Sequence, residues 1–364
     1  GVGRSRGARV QIPPSPSVKL ICFCKSAFLI TTPNNRIKEE NKMNTKTENK
    51  TNFFTKPVNI FLIAVLCTAL WGSAIPVIKI GYKAFEISDT NSQMLFAGYR
   101  FLLAGVLAVI FRSITLKKFV YPKRNELKGV FALGTIQTAL QYILFYTSLN
   151  YLTGVKGSII NASGNFFAVI LAHIFIKNDK LNAKKILGCL LGFGGVIICN
   201  INGEGLDAAF SLQGEGFMVL AALSFASGSV ITKFVTKGSD PAMITGYQLG
   251  LGGVILIIVG LLTGGKLSVP NFDLLNIETY YPIFILLYLS MLSSIAFSLW
   301  AELLKYNFVG KISIYGFLNP IFGVFLSAIL LGEDLFNIET FAALALVSLG
   351  ILIVNFRTQK EKTK

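Results

Sequence analysis

Acidic residues are scarce in this chain. Asp and Glu supply 18 of 364 residues, against 34 Lys and Arg, and histidine occurs once. That shortage removes whole classes of chemistry. Catalysis by paired carboxylates, and metal centres built from histidines and acids, need side chains this sequence barely has. Cys22, Cys24, Cys67, Cys189 and Cys199 have spacings that suit neither a zinc site nor a disulfide framework; those in apolar runs read as small buried hydrophobes. No GxxxxGK[ST] phosphate cradle occurs, which argues against an ATP-driven pump, and no cofactor is expected. Charged residues of both signs make 14% of the chain, well below the share of about 25% in soluble domains.

In their place stand long apolar runs. A helix needs roughly 20 mostly apolar residues to cross about 30 Å of hydrocarbon, and only elements that satisfy their own backbone hydrogen bonds persist there. Runs of that kind fall near residues 58–82, 92–111, 127–149, 157–176, 185–201, 214–234, 242–264, 281–303, 312–331 and 338–356. The expected fold class is an all-α polytopic membrane protein with ten transmembrane helices. The lipid bilayer is its solvent.

The net charge of +16 invites a nucleic-acid reading, but its placement points elsewhere. Part of it precedes Pro57. Arg112, Lys117, Lys118, Lys123, Arg124 and Lys128 crowd the loop after the second run; Lys177, Lys180, Lys184 and Lys185 crowd the loop after the fourth; Lys237 and Lys305 follow the sixth and eighth. The intervening loops hold Lys83, Lys156 and Lys266 with the acids Glu86, Asp89, Glu204, Asp207, Asp273, Glu278, Glu333 and Asp334. The positive-inside rule then puts both termini in the cytoplasm of a multi-pass protein of the plasma (inner) membrane; nucleic acid is not an expected partner. Residues 1–42 are basic and lack an amphipathic repeat; their apolar stretch at 20–30 is too short to span. They read as a non-native leader translated from upstream DNA, with Met43 the expected start, a cytoplasmic tail at 43–57 and a basic tail at 357–364.

The chain also repeats itself. Residues 154–200 align without gaps on 309–355, pairing Lys156 with Lys311, Ser158 with Ser313, Phe167 with Phe322, Asp179 with Asp334, Gly195 with Gly350 and Asn200 with Asn355. Tyr142 to Tyr146 parallels Phe297 to Ala301, Gly98-Tyr99 parallels Gly246-Tyr247, and Ser73 and Lys79 parallel Ser227 and Lys233. Two repeats, 58–201 and 212–356, hold five helices each. An odd number makes the second copy insert upside down, with Lys156 and Lys311 on opposite faces. Inverted repeats are the architecture of many secondary transporters, with the site near the midplane between the copies.

Trp71-Gly72-Ser73 with Lys79, Arg100-Phe101, and Asn319-Pro320-Ile321-Phe322-Gly323 ending in Leu331-Gly332-Glu333 together resemble the drug/metabolite transporter superfamily, in particular its EamA-type ten-helix members. The resemblance covers nearly everything from Val58 to Phe356. It implies export or exchange of a small metabolite through a central cavity between the halves, with no cofactor. Two departures stand out: Asn165 occupies the place of Pro320, and Asn178 that of Glu333.

Candidate substrate-binding residues follow from helical spacing. Ser158, Asn161 and Asn165 share one face of the fourth run; Ser313, Gly316 and Pro320 are their counterparts, with Tyr315 and Asn319 beside them. Gln137 and Gln141 share a face of the third run, and Tyr142 with Tyr146 another. Ser224 and Ser227 mark the sixth; Ser290, Ser293, Ser294 and Ser298 the eighth. Trp71 and Ser73 are placed at the cavity wall, whereas Trp300 is assigned to the interfacial aromatic belt. Interhelical packing is the alternative role of every small polar residue here. Gating or coupling falls to Arg100, His173, Glu302 and Pro320. Arg100 either attracts an anion or binds helix-end carbonyls; His173 either relays a proton or bonds a neighbouring helix; Glu302 is interfacial or pairs with Lys305 or Lys233. Gly188-xxx-Gly192 and Gly246-xxx-Gly250 allow close helix contact within the chain or across a homodimer. Uncharged, partly aromatic candidates suit an amino acid-like or drug-like substrate. The competing readings are a receptor or scaffold, and a membrane-embedded enzyme; the few acids and single histidine weigh against the enzyme.

Overall fold

The computed structural model describes residues 53–152, 154–199, 211–268, 280–331 and 338–355. The leader with Met43, the tail beyond residue 355, and Glu204, Asp207, Asp273, Glu278, Gly332, Glu333 and Asp334 lie outside them. The described residues are helical, with no strand among them. After a 3-10 turn at Phe53–Thr55, α1 is Pro57–Ala84 and α2 is Thr90–Leu116. The continuous helix α3, Leu127–Leu149, contains a π segment at Gly134–Leu140. α4 is Gly154–Phe175 and α5 is Ala183–Cys199. α6, Leu212–Val235, opens with a π turn; α7 is Pro241–Leu262 and α8 is Tyr281–Tyr306. α9 passes from Val309–Ser313 through a 3-10 turn at Ile314–Phe317 into Leu318–Leu331, and α10 is Ile338–Asn355.

Eight of these are long and apolar enough to cross a membrane; α5, with 17 residues, and the apolar part of α10, Phe341–Asn355, are shorter. Two expectations change in detail. α2 runs past residue 111 to Leu116, because Arg112 stays in the helix and pairs with Asp240 at the start of α7. The run expected at 312–331 is not one regular helix: it begins at Val309 and tightens to 3-10 geometry before Leu318. Pro320 lacks an N–H and cannot bond the carbonyl of Gly316, so regular α geometry is weakest there.

In lipid, apolar burial supplies no drive between helices, so contact must come from close packing. Glycine provides it. A Cβ on Gly105 of α2 would lie 2.5 Å from Gly246 O and from Gly250 N of α7, and one on Gly253 would lie 2.4 Å from Leu102 N. α5 packs on α10 in the same manner, Gly188 against Val354 and Gly350, Gly195 against Val347 and Ala343. Both GxxxG motifs are therefore engaged inside the chain. Gly72, in the Trp-Gly-Ser motif, lets α1 cross α9 at Phe322 and Gly323. The other helix pairs form matched sets: α1 meets α9 as α6 meets α4, α1 meets α8 as α6 meets α3, and α2 meets α8 as α7 meets α3.

The connections sort onto two faces. On one, Arg112 pairs with Asp240, Ser239 Oγ bonds the Glu126 carboxylate, and Lys305 Nζ donates to Ser239 O at 2.8 Å. Lys233 Nζ donates to the carbonyls of Lys305 at 2.9 Å and Asn307 at 2.8 Å, and Asn307 Nδ2 donates to Phe54 O. Asp179, beyond α4, accepts from Gly310 N at 2.9 Å and from Lys185 Nζ at 2.5 Å. The basic loops of the sequence thus gather at one end, called here the basic face. At the other end Asn91 Nδ2 donates to Thr263 O, Lys266 N to Ser92 Oγ, and Lys156 pairs with Glu215. Asp89 caps α2 there; bonds from the Ser92 hydroxyl and amide hold its carboxyl below the usual range.

Around the bundle, Phe61, Leu62 and Leu66 of α1, Ile110 and Ile114 of α2, Leu187 and Leu190 of α5, and Phe284 and Met291 of α8 are exposed. An apolar girdle of that extent belongs against lipid. Gly105→Ala or Gly253→Ala is expected to lower stability by about 1–3 kcal/mol through overpacking, while Gly194→Ala, with nothing within 4 Å of the added carbon, leaves the melting temperature unchanged; thermal unfolding of the detergent-purified protein measures both.

Candidate functional site

A cavity of about 200 Å³ lies in the middle of the bundle. α1 contributes Trp71, Ala74, Ile75 and Ile78; α2 contributes Arg100; α3 contributes Gln141, Tyr142, Phe145 and Tyr146. α4 gives Ser158, Asn161, Ala162 and Asn165, α6 gives Phe225, α8 gives Phe297 and Trp300, and α9 gives Gly316, Asn319 and Pro320. On α1, α2 and α3 these residues sit in the half away from the basic face, whereas Phe225 of α6, Phe297 and Trp300 of α8, and Gly316 and Asn319 of α9 sit in the half toward it.

The wall is chemically two-sided. One side is aromatic: the Trp71 ring stands edge-on to Phe297 at 5.3 Å and to Trp300 at 5.2 Å, and Tyr142 packs on Phe101 at 4.5 Å. The other side carries amides. Gly316 makes room for one of them: a Cβ there would lie 2.0 Å from Asn165 Oδ1, so the Asn165 amide rests directly on the backbone of α9. Four polar atoms on lining residues are themselves buried without a hydrogen-bond partner among the described residues, namely Trp71 Nε1, Trp300 Nε1, Gln141 Oε1 and Asn319 Oδ1. Two are donors and two acceptors. Buried polar groups are normally satisfied, and each one that is not costs about 1–3 kcal/mol.

Arg100 is the cation of this wall. It is only 3% exposed, its Nε donates to Ser293 Oγ at 3.1 Å, its guanidinium lies beside the Tyr142 hydroxyl, and its Cζ stands 4.6 Å from the centre of the Phe101 ring. No carboxylate lines the cavity, and among the described residues none lies within ion-pair distance of Arg100. A charge at mid-membrane costs roughly 2.5–3.5 kcal/mol even on insertion scales, so its neutral partners matter.

Of the residues singled out from the sequence, the cavity brings together Trp71, Gln141, Tyr142, Ser158, Asn161, Asn165, Asn319, Arg100 and Pro320. The others lie elsewhere. Gln137 sits across Phe297 and Trp300, in a gap of about 10 Å³ beside Thr232 and Gln248. Ser73 Oγ bonds Tyr288 Oη. Ser224 and Ser227 donate to carbonyls four residues back in their own helix. Ser293 supports Arg100, Ser294 is buried outside the cavity lining, and Tyr315 is buried against Phe61 and Asn355. His173 accepts from Leu181 N through Nδ1 and its carbonyl accepts from Lys180, so it organises the α4–α5 turn. Glu302 lies toward the basic face near Lys305, Asp240 and Arg112; Lys233, its other suggested partner, binds backbone carbonyls instead.

One expectation is overturned. Trp300 is not in an interfacial belt: at 3% exposure it closes the cavity against Trp71. α8 extends to Tyr306, which places Trp300 nearly two turns inside the helix. Phe145, Phe225, Phe297, Ile75 and Ile78 were also missed, while Tyr146, singled out with Tyr142, lines the cavity. The repeat held a signal for some of them, since Phe225 corresponds to Trp71, Phe297 to Tyr142 and Trp300 to Phe145. Among the described residues no group of three His, Cys, Asp or Glu side chains could hold a metal ion.

Comparison with known proteins gives a match to the model described as the EamA-like transporter family, twice, at residues 59–201 and 212–356. A WAT1-related chloroplastic protein of Arabidopsis thaliana is 27% identical over 297 residues, 79% of this chain and 67% of that protein. The uncharacterized transporter YvbV of Bacillus subtilis (strain 168) is 26% identical over 309 residues, 83% and 93% of the two chains. Protein PecM of Dickeya dadantii (strain 3937) is 23% identical over 307 residues, 83% and 95%. One crystal structure superposes with a TM-score of 0.64 at 14% identity, covering 82% of this chain and 97% of its own, which shows a shared fold.

In a background without native cysteines, Ser158→Cys is expected to react with a membrane-impermeant thiol reagent added from the side away from the basic face, and Ser227→Cys to stay unlabelled. Mass-shift labelling of intact membranes reads the difference.

Proposed function

The chain belongs to the EamA-like transporter family, and from this premise we propose that it is a secondary transporter that exports or exchanges a small amino acid-like or drug-like metabolite by alternating access through the central cavity. It is a multi-pass membrane protein, and its named relatives YvbV and PecM share most of its length. The observation that carries the reading is the cavity itself, a space walled by both halves. A small solute would sit against the amides, hydroxyls and rings of that wall.

Alternating access needs two packings of similar energy. In this proposal they come from two inverted five-helix repeats, 58–201 and 212–356, with α5 and α10 completing ten spans. The matched sets of helix pairs support the symmetry, as does the contact of the end of α4 with the start of α9 through Asp179 and Gly310. In this proposal the fastened basic face describes one of the two states; exchange of roles between the repeats would give the other. With the positive-inside rule, the basic face and both termini are cytoplasmic. No ATP or metal step enters this scheme.

Counterflow into proteoliposomes tests it. A broad panel of labelled amino acids and aromatic amphiphiles should include at least one solute that accumulates against preloaded unlabelled solute; no flux for any would favour a receptor or scaffold. Asn161→Leu and Asn165→Leu are expected to slow that flux roughly two- to tenfold, the worth of one hydrogen bond, while the proteins still insert. Unchanged kinetics in both variants would remove these amides from the site. Lys156→Cys and Lys311→Cys are expected to label from opposite sides of the membrane, and labelling from the same side would end the inverted-repeat proposal.

A further inference from the structure

We infer that Arg100 receives the carboxylate of the substrate, a small monocarboxylic acid or zwitterion with an aromatic or branched apolar body. The inference rests on the reading of the cavity as the substrate site and names the class of molecule it takes. A guanidinium offers five N–H donors in a planar fork. In this chain Nε is engaged by the Ser293 hydroxyl and the Tyr142 hydroxyl lies beside the group. Both partners are neutral, and no acid lines the space. The charge is nevertheless almost fully buried. A carboxylate docked there would supply the missing counter-charge in the two-pronged geometry that arginine matches best.

The rest of the wall sets the rest of the molecule. Arg100 is the one cationic side chain in the lining, so a single negative charge is balanced and a polyanion is not. The Trp71, Phe297 and Trp300 rings present edges and faces to an apolar body. The Asn161 and Asn165 side chains line the same space, and their amide oxygens suit an ammonium group if the solute carries one. A free acid and an amino acid share the carboxylate, and the test separates them.

The protein carries its own probe. Its two tryptophans, Trp71 and Trp300, both line the cavity, so intrinsic fluorescence of the detergent-purified full chain reports occupancy of this site. Four ligands are titrated: 3-phenylpropionate, L-phenylalanine, L-phenylalaninamide and 2-phenylethanol. One or both carboxylates should change the fluorescence with an affinity about tenfold or more above the amide and the alcohol, the usual strength of a charge-assisted contact. Arg100→Gln should abolish that preference and Arg100→Lys should keep part of it. If Arg100→Gln does not stay monodisperse on size exclusion, the wild-type ranking decides alone. Equal affinity for 3-phenylpropionate and 2-phenylethanol overturns the inference, as does no response to either carboxylate. Counterflow of the same solutes separates the two proposals. Flux that Arg100→Gln leaves unaltered sinks this inference and leaves transport standing; carboxylate-selective, Arg100-dependent fluorescence without flux does the reverse.

Discussion

Backbone contact at glycine is what the bundle depends on. Lipid tails are as apolar as leucine, so helices in a bilayer gain little by merely hiding side chains from their surroundings. They gain by touching closely. Gly105 and Gly253 bring α2 and α7 to within a side chain's width, Gly188 and Gly195 do so for α5 and α10, and Gly72 sets α1 on α9. These contacts fix where the remaining helices diverge. The cavity occupies that divergence, so its position follows from where small residues are placed and not from any one residue that lines it.

The two halves supply unlike chemistry to the same space. Gln141, Asn161 and Asn165 come from the first, and their counterparts in the second are Ala296, Gly316 and Pro320. At these positions the first repeat brings hydrogen-bonding groups and the second brings room for them, seen most directly where Asn165 rests on Gly316, while at Asn319, the counterpart of Gly164, the roles are reversed. Aromatic rings recur on both sides, Trp71 with Phe225 and Tyr142 with Phe297. Duplication built the frame; divergence made the pocket lopsided, polar along α3 and α4 and apolar along α8.

Much of this was legible beforehand. Long apolar runs named the helices, and loop charge sorted the connections onto two ends as the ion pairs and carbonyl contacts do. The amides of α4 and the tryptophan of α1 could be placed on the inner face because helical periodicity survives there. Where periodicity breaks, so did the reading. The π segment in α3 and the 3-10 turn in α9 follow from tertiary packing and a proline, not from a hydrophobic pattern. Serines misled for another reason: Ser224 and Ser227 satisfy themselves on their own helix, so a polar stripe need not face a solute. Trp300 looked interfacial because α8 was drawn three residues too short.

The fastening of the basic face has a distinctive currency. Lys233, Lys305 and Asn307 hold backbone carbonyls there, not carboxylates. A water molecule can take the place of each such donor or acceptor one for one. Hydration alone compensates the loss of those contacts; the Arg112–Asp240 pair and the Glu126–Ser239 and Asp179–Gly310 bonds of the same face are the ones whose rupture leaves a carboxylate short of its partner.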